Sequence, residues 1–369
     1  MNILHLSSNI KFGGSEQQLM YLVEATGKKG VTNFIFCFDT SILLDYKKDI
    51  KAQIIAVPEQ KAYKLPLLKA LRETVITQDI DVIHIHNAKF VLTYMLADIL
   101  YNLPCQCVFS KKDMSTDSSV FSKIKYNYKG INKVTCVTEA IKNRFKGLLY
   151  SKNHHKLMVL RDGLNPNTLQ ENKEVDIYKS FNITEGYTII GNVANHVKAK
   201  DLATFVNTID YLVNTMKIRN VHAMQIGRFT DFTPTLQQQV KDKDLEKFIT
   251  FTGFIKEGYK YTSNFDVFLM SSQSEGLPLS ILESFYYKVP VVSTNVGGIP
   301  EAITHNETGL LSDAKDFKNL ALNIKRVIDD NGLRTKLTQN ANALLLENFT
   351  SEVMADKTIA LYKSLNPKY

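Results

Sequence analysis

Short apolar segments alternate with longer amphipathic segments along the whole chain. Many of the short segments, such as VIHI and TIIGNV, are apolar at consecutive positions, which is typical of parallel strands covered by helices on both faces. We predict thirteen strands, at residues 3–7, 33–38, 53–57, 81–86, 106–110, 133–138, 158–161, 187–193, 221–227, 248–251, 267–271, 289–293 and 309–311.

Helical periodicity fills the intervals between these strands. The clearest helical segments are residues 16–28, 199–215, 279–287, 319–329 and 333–346. Regular alternation of strand and helix predicts βαβ units and open parallel sheets, so the fold class is α/β.

The alternation is interrupted once, by a polar stretch at residues 162–184 that lacks a strong period. Seven predicted strands precede it and six follow it. We therefore predict two Rossmann-like, doubly wound domains, residues 1–165 and 166–349, joined by a linker. The carboxyl ends of both sheets are expected to face a central cleft, where open α/β sheets bind ligands.

Composition agrees with an ordinary globular protein of 369 residues, 44% hydrophobic and 22% charged. No apolar run approaches the roughly 18–20 residues that span a bilayer, and the first residues do not resemble a signal peptide, so we expect a cytoplasmic protein. The four cysteines lie in apolar runs typical of strands, lack C-x-x-C spacing and are expected to be buried thiols.

The net charge of +8 is concentrated in one segment. Residues 111–156 contain eleven Lys or Arg and three Asp or Glu, and the rest of the chain is balanced. Two stretches, 121–129 and 141–149, interleave basic residues with apolar and aromatic ones. Such helices either cover a core with a solvated face or dock peripherally on an anionic membrane, and no nucleic-acid module accompanies them. The basic residues concerned are Lys123, Lys125, Lys129, Lys142, Arg144 and Lys146.

The richest chemistry lies in residues 265–303, where Glu275 and Glu283 flank a strand-to-helix turn. The helix is predicted to begin near Pro278 or Leu279, because proline is favoured in a first turn. Unpaired N–H groups at such a helix start bind phosphate. Taken alone, this spacing favours a structural interpretation, in which Glu275 is a helix-end acid and Glu283 is a solvated helix residue, over a binding site.

The sequence E-G-L-P-L-S-I-L-E, followed by P-V-V-S-T-N-V-G-G-I-P-E-A-I, resembles the Glu-x7-Glu signature of retaining family-4 glycosyltransferases, which have the GT-B fold. The resemblance implies that Glu275 is catalytic and contacts the donor sugar and that Glu283 contacts the ribose. It assigns the donor diphosphate to the turn residues Gly276, Leu277, Pro278 and Leu279.

Two other segments resemble the same family. In Gly13-Gly14-Ser15-Glu16, Gly14 is implied near the donor diphosphate, and Gly13 and Ser15 on the acceptor side. Residues 193–200 resemble the segment that supplies arginine and lysine to the diphosphate. Lys200 matches that lysine and is predicted to be catalytic.

Two positions depart from the family pattern. Asn195, a predicted donor-site residue, stands where the family usually has arginine, and Lys198 or Arg228 are the candidate substitutes. Ser110 stands where many members carry a cleft histidine. With Lys111 and His86, Ser110 completes the candidate acceptor-side residues.

No metal or other cofactor is expected. The pairs Asp79–Asp81 and Asp242–Asp244 are predicted to be solvated surface, and His84 and His86 to pack or line the cleft. A lysine and helix N-termini can neutralise a diphosphate without a metal.

The resemblance implies a retaining glycosyltransferase that moves a sugar from a nucleoside-diphosphate sugar to a glycan or lipid-linked acceptor in cell-surface polysaccharide or lipopolysaccharide biosynthesis. A GT-B sugar-nucleotide epimerase and a degenerate, non-catalytic nucleotide-sugar-binding protein are the alternatives. The resemblance also implies that a C-terminal helix within 350–369 packs back on the N-terminal domain.

Overall fold

Two parallel sheets carry the fold in the computed structural model, which describes residues 1–7, 9–169 and 176–366. The first sheet has seven strands in the order β3-β2-β1-β4-β5-β6-β7. Its strands are β1 (Asn2–Leu6), β2 (Thr32–Phe38), β3 (Gln53–Val57), β4 (Val82–Ile85), β5 (Gln106–Lys111), β6 (Lys133–Cys136) and β7 (Leu157–Val159).

The second sheet has six strands in the order β10-β9-β8-β11-β12-β13. Its strands are β8 (Thr188–Val193), β9 (Val221–Ile226), β10 (Ile249–Phe251), β11 (Val267–Met270), β12 (Val291–Thr294) and β13 (Leu310–Ser312). All strands are parallel, and in each sheet the strand order runs outward in one direction from the first strand and then in the other. This is the doubly wound arrangement, in which ligands bind at the carboxyl ends of the strands.

Twelve α-helices connect these strands within the described ranges. They are α1 (Gly14–Lys28), α2 (Leu65–Thr77), α3 (Ala88–Tyr101), α4 (Val120–Tyr126), α5 (Glu139–Lys146), α6 (Ile177–Ser180), α7 (Leu202–Asp210), α8 (Thr233–Asp242), α9 (Leu279–Tyr286), α10 (Phe317–Asp329), α11 (Asn331–Asn348) and α12 (Ser351–Leu365).

The predicted α/β class and strand series are confirmed: each predicted strand is present, with ends that differ by at most two residues. The helix predicted at 199–215 is different in detail. A short 3-10 turn (Lys198–Lys200) precedes α7, and the end of the segment is a π-helical turn (Tyr211–Thr215). Asp201, with φ 44°, separates the turn from α7 and caps the helix by accepting from the Thr204 N–H.

The chain divides into two compact units. Unit 1 comprises Met1–Asn165 and the chain from Phe349 onward, and unit 2 comprises Pro166–Asn348. The predicted linker, 162–184, contains a 3-10 turn (Pro166–Leu169) and α6, and its residues 170–175 lie outside the described residues.

The C-terminal helix α12 belongs to unit 1, where it packs against α1. The segment where the chain leaves unit 1 pairs with the segment where it returns. Leu164 and Thr350 form a parallel β-bridge, with the Leu164 N–H donating to the Phe349 carbonyl at 2.7 Å. Gly163 permits this pairing, because a Cβ there would lie 2.2 Å from the Thr350 carbonyl oxygen.

Candidate functional site

The turn between β11 and α9 lies at the carboxyl end of the second sheet. Pro278 occupies the N-cap position with extended backbone (φ −73°, ψ 125°), so α9 begins one residue later, at Leu279. Among the described residues, no acceptor pairs with the backbone N–H groups of Gly276, Leu277, Leu279 and Ser280. These donors and the helix dipole together form an anion-binding element.

Glu275 and Lys200 meet in this turn. Lys200 Nζ donates to Glu275 Oε1 at 2.6 Å, and Ser272 Oγ donates to the same oxygen at 2.6 Å. The Glu275 side chain is 8% exposed and that of Lys200 is 25% exposed. Two residues that are 75 positions apart in sequence therefore form one half-open ion pair.

Backbone contacts hold the two loops of this ion pair together. Ser271 Oγ donates to the Lys200 carbonyl at 3.1 Å, and the Gln273 N–H donates to the Ala199 carbonyl at 2.8 Å. From the last residue of β12, Thr294 Oγ1 donates to the Ser272 carbonyl at 2.6 Å. The two loops and the end of β12 are thus fixed to one another.

Gly297 completes this arrangement. It has φ +57°, and a Cβ at this position would lie 2.0 Å from the Glu275 carbonyl oxygen. Both the left-handed backbone and the close approach require glycine. The V-G-G-I-P segment therefore packs directly against the backbone of Glu275.

Glu283 is in the middle of α9 and is buried. Burial raises the pKa of its carboxyl group to about 8. No donor to this carboxyl group is present among the described residues, so its acceptor capacity is free for a ligand hydroxyl.

Asn195 does not replace an arginine at the anion-binding element. Its Oδ1 accepts from the Arg228 N–H at 2.9 Å, which ties the loop after β8 to the loop after β9. The Arg228 guanidinium lies 4.9 Å from the ring centroid of Phe254. Phe254 is exposed, and so is Phe229, whose ring centroid lies 5.1 Å from that of His196. The sequence did not predict these aromatic contacts, because single aromatic residues in loops carry no periodic signal.

In unit 1, the glycine loop leads directly into α1. Gly13 is the N-cap, Gly14 is the first helical residue, and Ser15 is half-buried. Glu16 is buried, its carboxylate accepts from Asn9 Nδ2, and burial raises its pKa. The loop is thus ordered by its own acidic residue.

Polar side chains in and next to the strands of unit 1 form two buried hydrogen-bond chains, one of which includes Tyr362 of α12. In the first, His5 Nε2 pairs with Asn33 Oδ1 at 3.0 Å and His5 Nδ1 pairs with His86 Nε2 at 2.9 Å. In the second, His84 contacts Tyr362 Oη at 2.5 Å through Nδ1 and Ser110 Oγ at 2.7 Å through Nε2.

These chains change the interpretation of two candidate acceptor-side residues. Ser110 also pairs with Thr135 Oγ1 at 2.7 Å, so its hydroxyl is buried within the sheet rather than open at its edge. His86 is buried, and its Nδ1 has no partner. Desolvation lowers the pKa of His5 to about 4 and lowers the pKa values of His84 and His86, so all three imidazoles are neutral at pH 7.

Three histidines, His5, His84 and His86, place potential ligand atoms within 4.8 Å of one another. Protein hydrogen bonds involve five of the six ring nitrogens, so the histidines form a hydrogen-bonded part of the core of unit 1. Of the acidic pairs, Asp81 accepts from the Asn2 N–H at 2.8 Å at the amino end of β4, away from the ligand edge of the sheet.

The basic pair at the end of β5, in which Lys111 is the last strand residue and Lys112 follows it, also forms ion pairs. Lys111 is buried and contacts Asp113 at 2.7 Å, and Lys112 contacts Asp162 at 2.9 Å. Both lysines are therefore neutralised within unit 1.

The two basic helices differ in what they expose. In α5, Ile141 and Phe145 are buried, so its apolar face belongs to the core. In α4, Val120 is 76% exposed, and Phe121 and Ile124 are each 52% exposed. Tyr126 of α4 packs edge-on against Phe145 at a centroid distance of 5.0 Å, which makes the two helices neighbours.

No helix in the described ranges combines the length and apolar content that crossing a bilayer requires.

Comparisons with known proteins match both units to glycosyltransferases. The family described as "Glycosyltransferase Family 4" matches residues 12–167, and the family described as "Glycosyl transferases group 1" matches residues 175–344. Among curated proteins, the N-acetyl-alpha-D-glucosaminyl L-malate synthase of Bacillus anthracis is 21% identical over 323 residues, 86% of this chain and 83% of that protein. The O-antigen biosynthesis glycosyltransferase WclY of Escherichia coli is 25% identical and covers 77% of this chain and 79% of its own.

Solved structures show the same fold over the whole chain. A glycosyltransferase from Rickettsia africae superposes with a TM-score of 0.87 at 19% identity, covering 98% of each chain. Anabaena HepE, solved with UDP and glucose, superposes with a TM-score of 0.86 at 18% identity, covering 99% of this chain and 100% of its own. Both have the two-sheet GT-B architecture that the sequence predicted.

Proposed function

The chain belongs to the family-4, group 1 glycosyltransferases, and on this premise we propose that it transfers a sugar from a nucleoside-diphosphate sugar to a glycan or lipid-linked acceptor with retention of configuration. Relatives named for O-antigen, capsule and lipopolysaccharide-core biosynthesis support a role in assembling a cell-surface glycan.

The ion pair at the carboxyl end of the second sheet is the observation that carries this proposal. Lys200 Nζ and Glu275 Oε1 lie 2.6 Å apart in the turn that carries the N–H groups of residues 276, 277, 279 and 280, which are unpaired among the described residues. One cation and several backbone donors match a diphosphate, and one carboxylate with a free oxygen matches sugar hydroxyls.

The proposed chemistry follows from these groups. Breaking the bond between the sugar and the diphosphate places negative charge on the leaving oxygen. Lys200 and the N–H groups of residues 276, 277, 279 and 280 stabilise that charge, Glu275 orients the sugar, and Glu283 accepts from the ribose. A single well-placed donor in such a site is worth roughly 10²–10³ in rate.

We propose that this reaction needs no metal ion, because Lys200 and the helix N-terminus supply the positive potential that a divalent cation would otherwise provide. On the acceptor side we propose the carboxyl edge of unit 1, with Gly13, Ser15 and His86 as candidate residues. Ser110 and Lys111 are supporting residues there, because their side chains are already paired.

We further propose that α4 docks unit 1 on an anionic membrane surface. Its exposed Val120, Phe121 and Ile124 stand beside Lys123, which is the combination that binds an acidic lipid interface. The neighbouring helix α5 adds charge through Arg144 and Lys146 but no apolar anchor.

Vesicle co-sedimentation tests this docking. The wild-type chain is expected to sediment with vesicles containing about one third phosphatidylglycerol and to stay in solution with pure phosphatidylcholine. The double substitution Phe121→Ser with Ile124→Ser should release it, whereas Leu322→Ser, an exposed leucine of unit 2, should not. Equal binding of both variants contradicts the proposed anchor.

A thermal-shift panel with UDP, GDP, ADP and CMP tests the donor site. A nucleotide present at about 100 times its Kd stabilises the fold by roughly 2.7 kcal/mol, which raises Tm by several degrees. A selective shift names the base and restricts the sugar nucleotides to be assayed for turnover. No shift with any nucleotide contradicts the proposed donor site.

Turnover of the matching sugar nucleotide then separates an enzyme from a binding protein. Glu275→Ala should abolish transfer while Tm stays near the wild-type value. Glu246→Ala, which removes an exposed carboxylate of the same unit, is the matched control and should leave transfer unchanged. Transfer at the wild-type rate in Glu275→Ala contradicts the assignment.

A further inference from the structure

The Lys200–Glu275 ion pair neutralises two ligand-binding groups with each other. Lys200 Nζ and Ser272 Oγ both donate to Oε1 of Glu275, so the positive charge of Lys200 is paired with this carboxylate. Under the proposed function, the diphosphate needs this cation and the sugar needs this carboxylate. A donor must therefore separate the two side chains.

The surrounding backbone leaves only the side chains free to make this change. The Lys200 and Glu275 loops are joined through Ser271, Gln273 and Thr294, and Gly297 fixes the Glu275 backbone. The lysine side chain is the more exposed of the pair and has the longer reach. Separation is consequently a swing of Lys200 away from a stationary carboxylate.

We propose that this ion pair makes the site select the intact nucleotide sugar over the free nucleoside diphosphate. A ligand with both a diphosphate and a sugar gives each separated charge a new partner. A free diphosphate takes Lys200 but leaves the nearly buried Glu275 carboxylate with only Ser272, which is unfavourable. After transfer, the ion pair re-forms and displaces the nucleoside diphosphate product.

This inference rests on the proposed function, and it predicts that the loss of the Glu275 charge changes the affinity for the nucleoside diphosphate. Glu275→Gln keeps the shape of the side chain and an oxygen that can accept from Ser272, but it removes the charge that holds Lys200. Free nucleoside diphosphate should then bind more tightly, by roughly tenfold, because Lys200 no longer has to leave an ion pair. The sugar nucleotide should gain nothing, since it loses the carboxylate that bound its hydroxyls.

Isothermal titration calorimetry tests this on the full chain, with the nucleoside diphosphate identified by thermal shift and its sugar nucleotide as probes. Two further variants locate the effect. Lys200→Met should weaken the diphosphate in either background, and in the Lys200→Met, Glu275→Gln double variant the tightening should disappear. Ser272→Ala leaves the ion pair in place but removes the donor that remains with Glu275 in the diphosphate complex, so it should weaken diphosphate binding and not tighten it.

Different results would contradict the role of the ion pair and the proposed function. Unchanged or weaker diphosphate binding in Glu275→Gln overturns the selection by the ion pair, as does tightening that persists without Lys200. If no nucleoside diphosphate or sugar nucleotide binds the wild-type chain, the proposed function itself fails. Unfolding of a variant is detected by its near-ultraviolet circular dichroism, and Glu275→Asp, which retains the charge, then serves as the second comparison and should not tighten diphosphate binding.

Discussion

The two sheets share one strand order, yet they hold their polar groups in different places. In unit 1 the histidines lie in β1, in β4 and directly after β4, and hydrogen bonds within the unit pair five of their six ring nitrogens. In unit 2 the corresponding chemistry lies in loops after the strands, where Lys200, Glu275 and the N–H groups before α9 retain capacity for a ligand.

This difference distinguishes polar groups that stabilise the fold from polar groups that are available to a ligand. A buried polar group that is paired within the protein contributes specificity to the fold, and its loss costs stability. A polar group whose backbone is held in place but whose donors or acceptors are not all used contributes to binding, and its loss reduces activity. Substitutions in the two units should therefore give opposite patterns of Tm and turnover.

The largest expected effect is on turnover. Lys200→Met should lower kcat roughly 10²–10³-fold, because the leaving diphosphate loses its cation. Tm should change by no more than a few degrees, since the ion pair it removes is partly exposed. Steady-state kinetics and a melting curve on the same preparation measure both. Near-normal kcat would place the leaving-group cation elsewhere.

Gly297→Ala should affect both properties. A Cβ at this position clashes with the Glu275 carbonyl, and the positive φ is unfavourable for alanine, so we expect a loss of about 2–3 kcal/mol in stability and a large loss of activity. Gly186→Ala is the matched control, because Gly186 also has positive φ but nothing lies within 4 Å of the added Cβ. Equal losses in both variants would mean that backbone strain alone, and not the displaced Glu275, is responsible.

Tyr362→Phe should give the opposite pattern to Lys200→Met. It leaves His84 Nδ1 without its partner and should destabilise the fold by about 1–3 kcal/mol. Turnover measured well below Tm should stay within about twofold. Tyr63→Phe changes an exposed tyrosine and should leave Tm unchanged. A normal Tm for Tyr362→Phe would show that the bond to His84 contributes little.

The smallest expected effect is a pH dependence from Glu283. Its pKa rises from 4.5 to about 8 on folding, so the native state holds a proton that the unfolded state releases. Stability from this group is therefore present below about pH 4.5 and lost as pH rises toward 8. Melting curves should show Glu283→Gln gaining on the wild type by a few degrees between pH 5 and pH 8. Parallel curves for the two proteins would contradict the raised pKa.

The strand series could be predicted because buried parallel strands are apolar on both faces, as in β4 and β8. The ends of α9 were less certain, since proline suits both an N-cap and a first turn, and only the extended ψ of Pro278 distinguishes them. The donor-site candidates came from a contiguous motif, and the meeting of Lys200 with Glu275 needed the adjacency of β8 and β11.

The polar chains of unit 1 could not be predicted, because each joins residues that are far apart in sequence. His84 and Tyr362 are 278 positions apart, and nothing local links them. The basic stretches of α4 and α5 show the same limit. They are similar in sequence, yet Phe145 is buried and Phe121 is exposed, which depends on the surface that each helix covers.

Unit 2 is an insertion within the sequence of unit 1, and the two ends of unit 1 that flank it pair at Leu164 and Thr350. During synthesis, the first sheet emerges early but lacks Tyr362, the partner of His84, until the ribosome has completed all of unit 2. The second domain can therefore mature first, while the amino-terminal domain waits for the last helix of the chain. Ribosome-bound chains that end before α12 should accordingly contain a folded second domain beside an unfinished first one.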